Sequence, residues 1–142
     1  LIQAILKEEE EAGFSKMDIF EEFRTRVVQH KQELVDFISD VRSKGKVVFG
    51  YGASTKGNVI LQYCGLTAAE IPCIAEVNEY KFGRVTPGTN IPIISEAEAR
   101  ALRPDYFMVL PWHFKEGIIK READYLTAGG HLFFPLPRLE IL

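Results

Sequence analysis

Lys46-Val47-Val48-Phe49-Gly50-Tyr51-Gly52-Ala53-Ser54-Thr55-Lys56-Gly57 is the stretch that sets the fold class. Its short apolar run closes on glycine and reads as a buried strand. From Thr55 to Tyr63 the pattern turns helical and stops near Gly65. A strand that enters a helix through a glycine loop is the opening of a parallel α/β unit. The alternation continues downstream. Residues 72–77 read as a second strand, and 91–94 as a short third whose proline favours an edge or a strand start. Residues 106–110 are apolar throughout, as a strand covered on both faces should be, and 132–134 make a fifth. Helices are expected at 96–102, where Ser95 and Glu98 spell a capping box, and at 114–128, ending on Gly129-Gly130. The fold class is α/β: a Rossmann-like three-layer domain with a mostly parallel sheet, over residues 46–142.

Upstream lies a different kind of sequence. Residues 1–14 form a short amphipathic helix or linker. Ile19, Phe20, Phe23, Val27, Leu34, Phe37, Ile38 and Val41 then recur at helical spacing, so the spacing predicts one long helix over 17–44, with Ser15 or Asp18 as its cap. Residues 1–45 are therefore a linker and long helix preceding the sheet. They hold ten acidic and seven basic side chains, whereas 46–142 hold ten of each, so the net charge of −3 belongs to this arm. Nothing in that balance suits a nucleic-acid binder. The 142 residues suffice for one domain with a real core, but not for a self-sufficient methyltransferase, kinase or dehydrogenase. Cys64 and Cys73 lie nine residues apart, and His30, His113 and His131 are scattered, so no metal site is expected. No apolar run reaches membrane-spanning length. The opening Leu1-Ile2-Gln3-Ala4-Ile5-Leu6 has no signal-peptide character and no initiating Met, so a cytoplasmic piece of something longer is expected.

In open parallel sheets ligands bind beyond the carboxyl ends of the strands, and three loops leave those ends here. The first runs from Gly50 through Tyr51, Gly52, Ala53, Ser54, Lys56 and Gly57 to Asn58. Its glycines permit positive φ and close approach, and the helix it opens offers free N–H groups to an anion. Thr55 stands where a dinucleotide fingerprint has its third glycine, and Asn58 stands where a phosphate-binding Walker loop has Ser or Thr. The alternative is a tight turn without a ligand. The second loop holds Glu76, 24 residues past Gly52, where a carboxylate can accept from a ribose, then Asn78, Lys81 and Arg84. Lys81 and Arg84 are cations beside the glycine loop, or simply solvated charges. The third loop brings Trp112 and His113, able to stack on a base or touch a phosphate, or to pack and cap. No catalytic residue is assigned.

Five ordered motifs carry a resemblance: Gly-Tyr-Gly-Ala-x-x-Lys-Gly-Asn at 50–58, Tyr-Cys-Gly at 63–65, Lys-x-Gly-Arg-x-x-Pro-Gly-Thr-x-Ile-Pro-Ile at 81–93, Arg-Pro-Asp-Tyr at 103–106 and Leu-Pro-Trp at 110–112. They close with Gly129-Gly130 and Pro135-Leu136-Pro137, and the resemblance spans roughly residues 4–137, including the long helix. The set resembles the C-terminal domain of the nucleotide-sugar C-methyltransferases. That resemblance implies a three-part enzyme with a zinc-binding region and an S-adenosylmethionine-binding domain upstream, neither cofactor being held by this domain. It also implies that this domain helps hold a nucleoside-diphosphate sugar, whose ring carbon is methylated next to a keto group. The partners implied are that sugar nucleotide and the upstream domain of the same polypeptide, with no nucleic acid and no membrane. The chain differs from the family at Phe82, often Gln, and at His113, often Asn. Two other classes remain beside this reading: a nicotinamide- or coenzyme-binding domain of an oxidoreductase, and a non-catalytic interaction module docking through the 17–44 helix.

Overall fold

A computed structural model describes residues 1–142. In chain order the elements are α1 (Ile2–Glu11), α2 (Met17–Ser43), β1 (Val48–Tyr51), α3 (Thr55–Cys64), β2 (Ile74–Glu76), β3 (Ile93–Ser95), α4 (Glu96–Ala101), β4 (Tyr106–Val109), α5 (Lys115–Arg121), α6 (Ala123–Thr127), β5 (His131–Phe134) and β6 (Glu140–Ile141). The sheet order is β3-β2-β1-β4-β5-β6. The first five strands are parallel, and β6 returns antiparallel along β5. This is the doubly wound order, and the chain reverses direction across the sheet between β1 and β4.

Side-chain alternation builds the two cores. Val48, Ile74, Met108 and Phe133 face one way, where Leu34, Ile38 and Val41 of α2 and Ile60, Leu61 and Cys64 of α3 cover them. Phe49, Tyr51, Ala75, Phe107, Val109, Leu132 and Phe134 face the other way, against Ala99 of α4 and Ile118 of α5. Both faces of the central strands are dry, which is why they read as continuous apolar runs rather than alternating ones. No helix is long and apolar enough to cross a membrane.

Three departures from the sequence reading have physical causes. The helix expected at 114–128 is a 3₁₀ turn at Trp112–Phe114 followed by α5 and α6, with the break at Glu122. Glu122 is buried and accepts from Tyr51 and Arg100, so its carboxylate is drawn inward where the helix would have carried an apolar residue. The cap of α2 is Lys16, whose side chain makes no cap hydrogen bond, rather than Ser15 or Asp18. The third strand begins after Pro92, which lacks the N–H a strand ladder needs, and runs to Ser95. The long helix is present, but only its C-terminal half, from Leu34 on, reaches the core.

Candidate functional site

The loop after β1 is shaped by three glycines. Gly50 sits so close to β2 that a Cβ there would lie 2.7 Å from Ile74 Cγ1. Gly52 turns the chain at φ +77°, a conformation that side chains disfavour, with Pro111 covering it. Gly57, in the first turn of α3, lies where a Cβ would be 2.6 Å from Leu110 Cβ. It therefore plays the packing part that a dinucleotide fold gives to its third glycine, two positions later than that fingerprint places it. Ser54 caps α3 by accepting from the Gly57 amide at 3.0 Å. The Thr55 and Lys56 amides have no acceptor within the chain, so two N–H groups and the positive end of α3 open at the carboxyl edge of the sheet.

Glu76, at the end of β2, ties this loop down. Only 6% exposed, it accepts from the Ala53 amide at 2.9 Å and Lys81 Nζ at 3.0 Å on one oxygen. Its other oxygen accepts from the Val77 and Asn78 amides at 2.9 and 3.0 Å. Burial pushes the Glu76 carboxyl up, but the Asn78 amide, the Lys81 ammonium and the Val77 amide outweigh it and hold the group below its ordinary value. Lys81 also donates to the Ala53 carbonyl at 2.9 Å. A carboxylate with four donors around it has no vacant place for a ribose hydroxyl.

A cleft of about 320 Å³ lies over these strand ends. Tyr51, Gly52, Ala53 and Ser54 form one wall, Glu76 and Lys81 another, and Pro111, Phe114, Ile118 and Arg121 close it. Two opposed ion pairs flank it, Lys81 with Glu76 and Arg121 with Glu96. Behind it Tyr51 donates to Glu122 at 2.8 Å, and Arg100 reaches the same oxygen at 2.6 Å. Burial, then the Glu122 carboxylate, push the Tyr51 phenol far above its ordinary value, so it stays protonated. Arg121 lies over the Tyr51 ring.

The structure brings Tyr51, Gly52, Ala53, Ser54, Glu76 and Lys81 to one cleft and leaves the other sequence candidates outside its walls. Gly50 and Gly57 act in packing. Asn78 caps a 3₁₀ turn by accepting from the Tyr80 amide. Arg84 is exposed, and its Nε donates to the Tyr80 carbonyl at 2.7 Å. Lys56 is exposed and Asn58 half-buried on α3. Trp112 packs against both cores and meets His113 edge-on, while the His113 ring is exposed. The aromatic that does enter the cleft is the next one, Phe114, 63% exposed. Sequence reasoning missed Glu96, Phe114, Arg121 and Glu122. Glu122 had a signal, a charge four residues after the buried Ile118 on the inward face of its helix. No three His, Cys, Asp or Glu side chains come together as a metal site.

Residues 1–137 match the family described as the C-methyltransferase C-terminal domain. The C-methyltransferase NovU of Streptomyces niveus is 33% identical over 141 residues, which cover 99% of this chain and 34% of that protein. The chain thus spans about a third of the length of the curated relative it matches.

Proposed function

The chain belongs to the C-methyltransferase C-terminal domain family, and from that premise we propose that it is the part of a C-methyltransferase that holds a nucleoside-diphosphate sugar. The observation that carries the reading is the cleft at the β1/β4 crossover, into which the glycine loop and the free N-terminus of α3 open. The diphosphate is received by the Thr55 and Lys56 amides and by the N–H that Lys81 keeps after donating to Glu76 and Ala53. Phe114 and Val77, both exposed at the cleft, supply apolar surface for the base or sugar.

The proton acceptor and the methyl donor belong to the rest of the longer enzyme. Within the cleft Glu76 is ionised but fully engaged, and Tyr51 is locked as a donor to Glu122. S-adenosylmethionine and zinc are assigned to the upstream regions. The working compartment is the cytoplasm, which suits the two free, buried thiols of Cys64 and Cys73. A nicotinamide-binding oxidoreductase fits less well, because Thr55 stands where its fingerprint has the third glycine and Gly57 takes the packing role two positions later.

Calorimetric titration of the chain with UDP and TDP tests the reading, with amide shifts at Gly52, Ala53, Thr55 and Lys56 as the structural readout. Heat of binding with those shifts is the expected result. Silence in both at millimolar nucleotide, or tight NADH binding in a fluorescence titration, would overturn it.

A further inference from the structure

Nothing in the cleft explains the other end of the molecule. Helix α1 and α2 as far as Glu33 bury no residue, yet they carry an apolar stripe. Met17, Phe20 and Phe23 are 70%, 48% and 59% exposed, and Ile2, Ile5 and Leu6 on α1 are equally bare. Exposed apolar side chains recurring at helical spacing mark an interaction surface rather than scattered exposure.

The stripe runs, through Phe23, into a groove of about 620 Å³ between α2, α3 and Leu136-Pro137. Phe23, Val27, Val59, Tyr63 and Leu136 line it, with His30 among them. The Nε2 atom of His30 is enclosed and has no hydrogen-bond partner. That atom is already shut off from solvent within the chain, so it offers a docked partner no hydrogen bond, and what marks the groove is its apolar lining.

The matched relative supplies the occupant. About two thirds of its length lies outside the matched segment, and the family is a C-terminal domain, so in such proteins the remaining polypeptide precedes α1. The uncovered stripe lies on α1 and the start of α2, the elements nearest that polypeptide. We infer that the α1–α2 stripe and the α2/α3 groove form the docking surface for the preceding methyltransferase portion of the same polypeptide, through a complementary apolar surface. The consequence for the cleft is direct. Helix α3 bears Val59 and Tyr63 on the groove and the free Thr55 and Lys56 amides at its start, so a partner docked there stands beside the ligand site.

This inference rests on the reading of the chain as one portion of a longer enzyme. The test is hydroxyl-radical footprinting of the 142-residue chain, which encloses its own core on both sheet faces, and of the full-length polypeptide that carries it. Oxidation of Phe23 and Tyr63 should fall about fivefold or more in the longer protein, as for rings that lose most of their contact with water, while Tyr80 stays reactive. Phe23→Glu, at a position exposed enough to leave folding intact, should restore Tyr63 oxidation in the full-length protein. Equal oxidation in both proteins overturns the proposal. So does protection in the short chain that grows with its concentration, because the occupant is then a second copy. Nucleotide titration of both samples keeps the two readings apart. Nucleotide binding without protection refutes the docking surface alone, and protection without nucleotide binding refutes the ligand reading alone.

Discussion

Replacing Glu76 by Gln changes one atom type at the point where two loops of the cleft meet. The carboxylate now accepts from four donors, two on each oxygen, all at 2.9–3.0 Å. Glutamine keeps one oxygen and turns an NH2 group toward the other pair of donors, so two hydrogen bonds are lost and donors face donors. Each bond to a charged acceptor contributes about 1.5–3 kcal/mol. Lys81, 39% exposed, regains water for its lost partner, so its share shrinks toward the ~0–1 kcal/mol of a surface pair. The remaining loss is about 2–4 kcal/mol, which lowers Tm by about 10 °C for a chain of this length. Thermal unfolding followed by circular dichroism measures it, and hydrogen exchange at Ala53 locates it. The exposed Glu79→Gln makes the same charge change and should stay within ~0.5 kcal/mol of the parent. If Glu76→Gln behaves like Glu79→Gln and Ala53 exchange is unchanged, the anchoring role of Glu76 is wrong.

Three further outcomes follow from other parts of the fold. Gly57→Ala pushes a methyl into Leu110 and should destabilise by about 1–3 kcal/mol, whereas Gly117→Ala on α5, with open space around it, should be neutral or stabilising by up to ~1 kcal/mol; urea midpoints compare them. Below the ordinary carboxylate range near pH ~4 the chain should lose stability, because Glu76 and Asp105 are held below their ordinary values when folded, so the unfolded state takes up more protons. That contribution is complete above the unfolded values and fades as pH falls through the folded ones; Glu76→Gln should flatten the acid limb of a stability-against-pH curve, and an unchanged slope would refute the assignment. Phe114→Ala should weaken nucleoside-diphosphate binding about tenfold, the loss of ~1.4 kcal/mol of apolar contact, with His113→Ala nearly silent in calorimetry; the reverse order would return the role to His113.

The fold was legible because apolar runs and glycines carry its logic. The five parallel strands, the capping box at Ser95 and Glu98, and the stop of α3 at Gly65 all follow from local pattern. Strand β6 was not legible, since Glu140 and Ile141 have no alternation to read and pair with β5 only through the tertiary fold. The single helix expected at 114–128 is divided at Glu122, whose carboxylate meets Tyr51, 71 residues away, a contact that no local pattern announces. In the site, the glycine loop was readable and its neighbours were not. Arg121 and Glu96 meet across the sheet edge, and no spacing in the sequence announces such a pair.

The quoted motifs also divide by what their residues touch, and the division bears on function. Much of the 81–93 motif holds the loop itself. Thr86 and Thr89 are buried with hydroxyls 2.6 Å apart, Thr86 accepts from the Ile91 amide, and Pro87 accepts from Gln62. In the 103–106 motif Asp105 accepts from the Val47 amide and Lys46, fastening β4 to the start of β1. What the motifs bring to the cleft is a smaller set, Tyr51 to Ser54, Lys81 and Pro111, which Glu76, Phe114 and Arg121 join from outside them. Each of those two cations is already matched by a carboxylate, so the cleft has little net positive field with which to capture a diphosphate. Affinity must then come from oriented amides and apolar contact, and such a half-site gains most when a second surface closes over the ligand. A domain of this construction fits a shared site better than a free-standing binder: nucleotide affinity of the 142-residue chain should be modest and only weakly salt-dependent, and it should tighten in the full-length polypeptide. Calorimetry of both proteins at two ionic strengths decides the point, and equal affinity in the two would mean that the cleft is complete by itself.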